Sequence, residues 1–559
     1  MLLRWSVLLT AFVLAGPVKA QEYPFSWDHA TVYQIVTDRF SNGDSSNDFA
    51  YGRGLDGEGN EYAEDAAGHF SGGDYQGILG WIEDGYFTDL GVNTLWLSAP
   101  YEQVHGWVGG GDGDFQLYGY DASWPFDYTE FESAFGEAED FALLTQTARE
   151  RGMRVIVDVD LNHVGPATMH DMAAFGFGGL TGEGWRTWQP SSRVGWQSYL
   201  ADLVTVEDAA EGWQQWWGRD WVRADIVGYE ACGDDPATQC AGGLPDIRSD
   251  IEVDSLPPFL SLKWGEDKTI AEQAELDAFF GRTGAPRTAA NHVVKWLADW
   301  VAEQDIDGFH LREADGLDPV VTGFLIQEVS RAYRMRLANP EASFLLLASE
   351  EAPIEIPIGS GVEWRLLNDH ESNGPLPEAT EATVLANNSN VRGLPFRALS
   401  VGFSGDDPDQ VSSFLLQPGP IVLTYGAESG RMPGEEISDA RHMAMSPMNW
   451  TSFNEEQLAL WTAIGSFRGA HPAIARGGYD PVQDDPKTFH RGVRIGMDAD
   501  QVMIATGAEG RTRLNVSIVW PDDTVLRDAM TGNVGFVSFG QVSMTPHPSG
   551  LLLLEVLPE

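Results

Sequence analysis

The chain has 559 residues, 43% of which are hydrophobic, and its 34 basic and 84 acidic residues give a formal net charge of -50. This apolar content excludes a globally disordered chain, and the length predicts one large domain with one or two smaller ones. A surface with so many carboxylates repels phosphate groups, so we expect neither nucleic acid nor an anionic membrane as a partner.

The first twenty residues have the pattern of a secretory signal peptide. Arg4 supplies the positive start, an apolar stretch runs from Trp5 to Ala15, and Val18-Lys19-Ala20 forms a small-residue cleavage site. No later run reaches the ~20 apolar residues needed to span a bilayer. We therefore expect a soluble protein that is exported to the periplasm or the extracellular medium.

Apolar runs that alternate with helical periods occupy most of the remaining chain. A segment at about 165–250, rich in Gly and Trp, interrupts the alternation after the third run, and short alternating runs follow residue 476. This order predicts an α/β barrel, a lobe inserted after its third strand, and a C-terminal antiparallel β domain. The predicted strands are 31–37, 92–98, 154–159, 306–311, 344–348, 398–403 and 421–425, and the predicted helices are 77–90, 134–151 and 289–303.

Cys232 and Cys240 are the two cysteines of the chain. An exported chain meets oxidising conditions, so we expect them to form a disulfide that closes a small loop. Two free buried thiols are the alternative. A zinc site is not expected, because two thiolates without nearby histidine ligands do not complete a tetrahedron.

Several motifs resemble those of the α-amylase family, glycoside hydrolase family 13. The run Asp158-Val159-Asp160-Leu161-Asn162-His163 is similar to the family's first signature, and Leu244-Pro245-Asp246-Ile247 to the signature near the end of its inserted lobe. Residues 417–428 resemble its eighth-strand pattern. The motifs occur in the family's order between residues 33 and 472, and this order makes them specific together.

The resemblance implies a (β/α)8 TIM barrel in residues 21–475, following a signal peptide at 1–20. It also implies the inserted lobe and a C-terminal antiparallel β-sandwich domain at 476–559. The substrates of the family are α-glucans such as starch and maltooligosaccharides. A fold does not guarantee an activity, so the site needs its own argument.

The resemblance also implies calcium ions that hold loops in place. The run VYQIVTDRFSNGDSSND and residues 69–74 are similar to the family's N-terminal calcium loop. Calcium takes six to eight oxygen ligands, and an Asn/Asp-rich turn that caps backbone groups is the alternative interpretation. A second calcium position would use Asn162 and Asp246. The ligands implied at the first position are Asn42, Asp44, Asn47, Asp48, Asp74 and the carbonyl group of Gly72.

The nucleophile position departs from the family pattern. A retaining glycosidase needs a carboxylate nucleophile about 5–5.5 Å from a protonated carboxyl group. The family's nucleophile is the Asp of a G-F-R-x-D pattern, whose Arg orients it, but here the stretch is Gly308-Phe309-His310-Leu311-Arg312. A guanidinium stays protonated and is not a nucleophile. The sequence therefore predicts impaired hydrolysis, unless Glu313 or Asp315 takes the nucleophile's place.

The other two family carboxylates are assigned by position. Glu350 matches the general acid, with Glu351 as a competing register, and its alternative role is a salt bridge with Arg312. The third carboxylate is assigned to Asp406, with Asp407 as the alternative. The run Asn368-Asp369-His370 resembles the third pattern but follows Glu350 too closely.

Three further residues match sugar contacts of the family. Tyr120 matches the aromatic platform under the reacting sugar, and His163 matches a ligand of the sugar's hydroxymethyl group, with a barrel-mouth structural histidine as the alternative. His310 takes the position of the family's Arg and is a further substrate-binding candidate. Seven tryptophans lie between Trp185 and Trp221, and either they stack on sugars or they pack the lobe.

Three functions remain open from the sequence. The first is an exported α-glucan-binding member of the family with impaired hydrolysis. The second is an active retaining hydrolase with an unusual nucleophile. The third is a scaffold that binds a protein partner and no sugar.

Overall fold

The structure, a computed structural model, describes residues 23–53, 55, 67–113, 115–180, 204–349, 360–369, 395–399, 405–434, 436–482 and 485–557. Two compact units divide the chain. The larger unit is Ser26–Gly469, and the smaller is formed chiefly by Ala470–Glu559. In the part that the structure describes, no helix is both long and apolar enough to cross a membrane.

The larger unit is built on a closed barrel of eight parallel strands, in which each strand pairs with its neighbours in sequence and the eighth pairs with the first. The second and third strands, Thr94–Leu97 and Arg154–Val159, are buried on both faces, as expected where helices surround a parallel sheet. The strands are β1 Thr31–Gln34, β2 Thr94–Leu97, β3 Arg154–Val159, β4 Gly308–Leu311, β5 Phe344–Ser349, β6 Val362–Asp369, β7 Phe396–Ala398 and β8 Ile421–Thr424.

Helices follow most strands and begin at residues that suit a helix end. The Asp74 side chain accepts from the backbone of Gly77, and that of Thr288 accepts from the backbone of Asn291; each satisfies an amide that the first helical turn leaves open. The α-helices of this unit are Thr37–Phe40, Tyr75–Glu83, Tyr86–Asp89, Ala138–Glu150, Met169–Ala174, Ala209–Trp213, Pro258–Thr283, Ala289–Glu303, Pro319–Arg336, Pro408–Leu415, Ala440–Ala444 and Glu455–Ala470.

The inserted lobe follows β3 and is held by a short antiparallel pair, Val222–Arg223 with Asp246–Ile247. A disulfide joins Cys232 to Cys240. Trp216 is 1% exposed, and its ring stacks on Phe259 at 5.1 Å. Trp213 and Trp217 are also buried, so these three tryptophans pack the lobe. Trp185 and its near neighbours lie outside the described residues.

The smaller unit is antiparallel and carries its own apolar core. Leu526, Leu552 and Leu554 are fully buried in it. A short helix at Pro472–Arg476 comes first. The strands that follow are β9 Gly478–Val482, β10 Asp485–Ile495, β11 Asp498–Ala505, β12 Thr512–Asn515, β13 Val525–Asp528, β14 Val534–Phe536, β15 Gln541–Met544 and β16 Leu552–Val556. Six of them form one sheet, in the order β9-β10-β11-β16-β13-β14, and β12 pairs with β15.

The predicted fold class is confirmed: an eight-stranded barrel, a lobe after its third strand and a C-terminal antiparallel sheet are all present. Strand β6 was not among the predicted strands, because Glu363 and Arg365 interrupt its apolar pattern. The Arg365 guanidinium is 3% exposed and pairs with Asp28 at 2.8 Å. The described part of β7 is Phe396–Ala398, two residues earlier than the predicted start at 398, and residues 400–403 of the predicted strand at 398–403 lie outside the described residues.

Candidate functional site

Polar groups converge where β3 and β4 end. Asp158 and His310 are directly paired neighbours on these strands. Arg312 comes directly after β4, and its backbone amide donates to the carbonyl group of Val159 at 3.1 Å. The carboxyl ends of barrel strands carry the active site in this class of fold, so this cluster is the candidate site.

Asp158 is the acceptor at the centre of the cluster. Its carboxylate accepts from Nη2 of Arg312 at 2.6 Å, from Nδ1 of His310 at 2.7 Å and from Nε1 of Trp96 at 3.0 Å. Burial by itself raises the pKa of this carboxyl, but the charge of Arg312 and the His310 hydrogen bond outweigh it and hold the pKa at about 2. Asp158 is therefore ionised and occupied by protein donors.

Arg312 is held from several sides. Besides Asp158, its Nη2 donates to the backbone carbonyl group of Asp121 at 2.8 Å, and its Nη1 lies 3.9 Å from the buried carboxylate of Asp160. The side chain is 14% exposed. Burial lowers its pKa, but the charges of Asp158, Asp160 and Asp121 outweigh burial and raise the pKa. The group at the nucleophile position is thus a fixed cation.

Glu313, the first alternative nucleophile, follows Arg312 with a left-handed backbone, φ 46°. Its carboxylate is 45% exposed, lies 3.2 Å from Nδ1 of His163, and accepts from the amide of Asn162 at 3.5 Å. The contact with His163 lowers its pKa to about 2. Asp315, the second alternative, is exposed in the turn Ala314–Gly316. Both assignments stay predictions.

The two other catalytic candidates are Glu350 and Asp406. Glu350 lies outside the described residues, as do Glu351 and His370. Asp406 is exposed in the turn before the helix Pro408–Leu415, whereas Asp407 caps that helix by accepting from the backbone of Asp409 at 3.0 Å. Asn368 and Asp369 end strand β6. The assignment of the third carboxylate to Asp406, with Asp407 as the alternative, stays a prediction.

The candidate sugar platform is enclosed in this structure. Tyr120 is 0% exposed, and the Arg39 guanidinium lies 3.6 Å from the centre of its ring. The Tyr120 hydroxyl is 2.7 Å from Nδ1 of His442, and Arg441 pairs with the adjacent Asp121 at 3.0 Å. Arg441 and His442 belong to the helix Ala440–Ala444. Sugar stacking on Tyr120 therefore requires a group to move.

The two histidine candidates have protein partners. His163 is 3% exposed, and its Nε2 lies 3.0 Å from the carbonyl oxygen of Ser123. The ring of His310 lies against Trp96, 4.4 Å between ring centres. These contacts fix both rings at the barrel mouth. The proposed sugar contacts of His163 and His310 stay predictions.

The first calcium loop has the features of a cation cage. The side-chain oxygen of Asn47 is buried and has no hydrogen-bond partner, which suits an oxygen that faces an ion. Gly72, at φ 81°, packs closely against two other predicted ligands, since a Cβ there would lie only 2.7 Å from both Asn42 and Asp48. The Asn42 amide donates to the Asp48 carboxylate at 2.7 Å. In the described part of the chain no three His, Cys, Asp or Glu side chains converge to hold a metal. A calcium ion in this loop would therefore need amide and carbonyl oxygens as ligands, as well as carboxylates.

Asp74 and Asp44 have backbone partners in the same loop. Asp74 accepts from the amide of Asp44 at 2.7 Å and from that of Gly77 at 2.6 Å. Asp44 in turn accepts from the amide of Ser46 at 2.9 Å. A carboxylate oxygen accepts more than one donor, so these bonds are compatible with metal ligation.

The second calcium position does not fit an ion as placed. Arg223 donates to Asp246 at 2.6 Å and pairs with Asp250 at 2.8 Å, with 7% of its side chain exposed. A divalent ion bound to Asp246 would lie close to this guanidinium and be repelled by it. The amide nitrogen of Asn162 faces Glu313. Here an arginine supplies the positive charge between lobe and barrel.

Sequence reasoning did not single out several residues of the site. Contacts between distant parts of the chain bring these residues to the site. They are Trp96, Tyr101, Asp121, Arg441 and His442. The Tyr101 hydroxyl donates to Asp160 at 3.2 Å. A signal was available for Asp158, which begins the quoted motif at the end of β3.

Comparisons with known proteins concern the family and the fold of the chain. Residues 34–174 match the family described as alpha amylase, catalytic domain. The periplasmic alpha-amylase of Escherichia coli K12 is 33% identical over 497 residues, which are 81% of this chain and 69% of that protein. A cyclomaltodextrin glucanotransferase of Paenibacillus macerans is 34% identical over 162 residues, 28% of this chain and 21% of that protein.

Among solved structures, an Anoxybacillus alpha-amylase superposes with a TM-score of 0.55 at 16% identity. The match covers 96% of this chain and 99% of that one. At this identity the likeness concerns the fold alone.

Proposed function

Because the chain belongs to the α-amylase family, we propose that it binds α-glucan chains at the carboxyl face of its barrel and does not hydrolyse them. Its relatives are named as amylases and a cyclomaltodextrin glucanotransferase, which supports starch fragments and maltooligosaccharides as the ligand class. The observation that supports the loss of hydrolysis is the ion pair between Arg312 and Asp158, in which Nη2 lies 2.6 Å from the carboxylate.

Two physical effects of Arg312 oppose glycoside cleavage. The guanidinium offers no lone pair to the sugar's anomeric carbon, so a covalent intermediate does not form there. The transition state is oxocarbenium-like and positive. At ~4 Å and an effective dielectric of 20, a cation beside it costs about 4 kcal/mol before screening. Asp158 offsets part of this charge, but it does not replace the nucleophile.

A carbohydrate ligand would still find suitable groups at this face. Tyr120 offers an aromatic ring, and Asp121 and Glu313 offer carboxylates that accept from sugar hydroxyls. Glu313 is 45% exposed, so it is accessible without rearrangement. We assign these residues to glucan binding, together with His163.

Calcium would have a structural role in this account. Asn42, Asp44, Asn47, Asp48, Asp74 and the Gly72 carbonyl group would hold it, and the ion would supply positive charge that fixes the loop against the helix Tyr75–Glu83. The signal pattern and the periplasmic relative support export, where calcium is available and the disulfide is stable.

The test combines calorimetry with product analysis on the purified full-length protein. Titration with maltoheptaose should give saturable binding, and a β-linked glucan of equal length should give none. Chromatography after long incubation should show maltoheptaose intact. No binding of any α-glucan would exclude the proposed function and favour a scaffold that binds a protein partner.

A second function, hydrolysis through Glu313, has one supporting observation. Its carboxylate is half exposed and is kept ionised by His163. An ionised carboxylate at a strand end is the chemical form of a glycosidase nucleophile. Product formation that disappears in Glu313→Gln would support this second function. Intact maltoheptaose in both proteins would exclude it.

A further inference from the structure

Apart from Arg39, the residues named above that contact Tyr120 or pair with the carboxylate of the adjacent Asp121 come from one stretch after β8, residues 438–448, which we call the cover segment. Arg441 pairs with Asp121 at 3.0 Å, and His442 lies 2.7 Å from the Tyr120 hydroxyl. At the segment's start, the Ser438 hydroxyl accepts from the backbone amide of Asp112 at 2.9 Å. The cover segment thus lies over Tyr120 and Asp121 and is also tied to the backbone of Asp112.

Among the groups that contact Tyr120, which include Arg39, His442 and Met445, Arg39 is the fixed one. It is 4% exposed. Its guanidinium donates to the Ser71 hydroxyl at 2.8 Å and to the carbonyl group of His69 at 2.5 Å, and it pairs with Asp38 at 3.0 Å. A buried cation with this many partners moves only at a large cost in free energy.

The helical part of the cover segment has the opposite character. The segment's last residues are anchored, because the Tyr425 hydroxyl donates to the carbonyl group of Ser446 at 2.9 Å and the Met448 amide donates to that of Arg39 at 2.8 Å. The Arg441 side chain is 60% exposed, and Ser438, Ala440 and Ala444 are exposed as well. Its helix, Ala440–Ala444, has five residues, which is too short to be stable by itself. Segments with few buried contacts are the ones that open locally.

Charge explains why the segment closes over Tyr120. Burial raises the pKa of Asp121, but charges led by that of Arg441 outweigh it and lower the pKa, whereas the pKa of Glu313 is lowered chiefly by its hydrogen bond with His163 and less by Arg441. A sugar needs the same Tyr120 ring edge and the same Asp121 carboxylate. The cover segment and a sugar therefore compete for these groups.

We propose that residues 438–448 form a movable cover that closes the Tyr120 pocket in the free protein and opens when an α-glucan binds. This inference rests on the proposed glucan binding, and it adds how access to that site is controlled. Binding then includes the free energy of breaking the Arg441 and His442 contacts, so the observed affinity is lower than that of the open pocket.

The test locks the cover with an engineered disulfide, Asp112→Cys with Ser438→Cys, at two exposed positions in contact. The oxidised double variant should bind maltoheptaose at least about tenfold more weakly than the same protein after mild reduction. Each single-cysteine variant and the wild-type protein, treated identically, should show no change. Equal affinity of the oxidised and reduced double variant would overturn the proposal.

A second measurement needs no glucan and separates failure of the cover from failure of glucan binding. Hydrogen exchange of the amides of 438–448 should be about tenfold faster in Arg441→Ala/His442→Ala than in the wild-type protein, because opening loses its opposing contacts. The helix Ala289–Glu303 should be unchanged. Unchanged exchange in the segment would overturn the cover. Faster exchange in a protein that binds no glucan would support the cover and exclude the proposed function.

Discussion

Asp158, inside β3, and Arg312, the residue after β4, form an ion pair of 2.6 Å at the centre of the barrel mouth. His310 donates to the same carboxylate at 2.7 Å. His310 lies in β4 and Arg312 directly follows it, and both side chains donate to Asp158. In the family pattern an arginine occupies position 310, so the positive charge near Asp158 is kept while the carboxylate at 312 is lost.

Placing the family's residues at positions 310 and 312 tests this interpretation of the cluster. Arg312→Asp alone should lower the free energy of unfolding of the barrel unit by roughly 3–5 kcal/mol, because it leaves a group of buried carboxylates without their cation. Adding His310→Arg to Arg312→Asp should recover more than half of the loss. Thermal unfolding followed by near-UV circular dichroism compares the three proteins.

The matched control is His310→Arg alone, which adds a second cation beside Arg312. It should be less stable than the double variant that carries His310→Arg and Arg312→Asp. A double variant no more stable than Arg312→Asp would contradict the assignment of Arg312 as the balancing charge.

Much of the fold could be predicted from the sequence, because buried parallel strands are short apolar runs. The helix Ala289–Glu303 was predicted with its observed bounds, since its apolar period is regular and Thr288 caps it. The helix Pro258–Thr283 was not predicted. Its Gly265 has φ 75° and interrupts the helix, so no single apolar face continues along it. Local patterns fail where a backbone irregularity or a buried charge is stabilised by distant residues.

The site could be predicted only as far as its motifs. The position of Arg312 was identified because its neighbours match a known pattern. Its partners were not, because Asp121 is 191 residues away and the contact depends on how loops cross the barrel mouth. His442 lies 322 residues from Tyr120, and nothing in its local sequence marks it as a pocket residue.

Calcium content provides a second test. The protein should retain about one calcium ion per chain after gel filtration, because of the two predicted positions the first loop has oxygens suited to an ion and the second is occupied by Arg223. Asn47→Ala should lower this content and the thermal midpoint in the presence of calcium. Elemental analysis of the purified protein measures the stoichiometry.

Asp246→Asn is the control for the calcium measurement, because it removes a carboxylate that Arg223 already neutralises. Its calcium content should equal that of the wild-type protein. Loss of an ion in Asp246→Asn, with none lost in Asn47→Ala, would reverse the assignment of the two positions.

His471 makes the smaller unit sensitive to alkaline pH. Its Nδ1 lies 2.7 Å from Asp500 and its Nε2 lies 2.8 Å from Glu555. Burial lowers the pKa of this histidine, but the two carboxylates outweigh burial and raise the pKa to about 9. The ordinary value is about 6.5 in an unfolded chain. The stabilisation is therefore full below about pH 6.5 and disappears as the pH rises through about 9.

Thermal unfolding between pH 6 and pH 10 measures this effect. The wild-type midpoint should fall across that range, and His471→Gln should start lower and fall less, because a neutral amide carries no titrating charge. Identical slopes for the two proteins would show that the pH dependence has another source.

The most direct test of the central claim is the fate of maltoheptaose incubated for a long time with an equimolar amount of the wild-type protein. With a guanidinium at position 312, we predict bound but intact maltoheptaose and no new reducing ends above the buffer control. Product that accumulates with the wild-type protein and vanishes in Glu313→Gln would contradict the account, because it would show a working nucleophile one residue beyond Arg312.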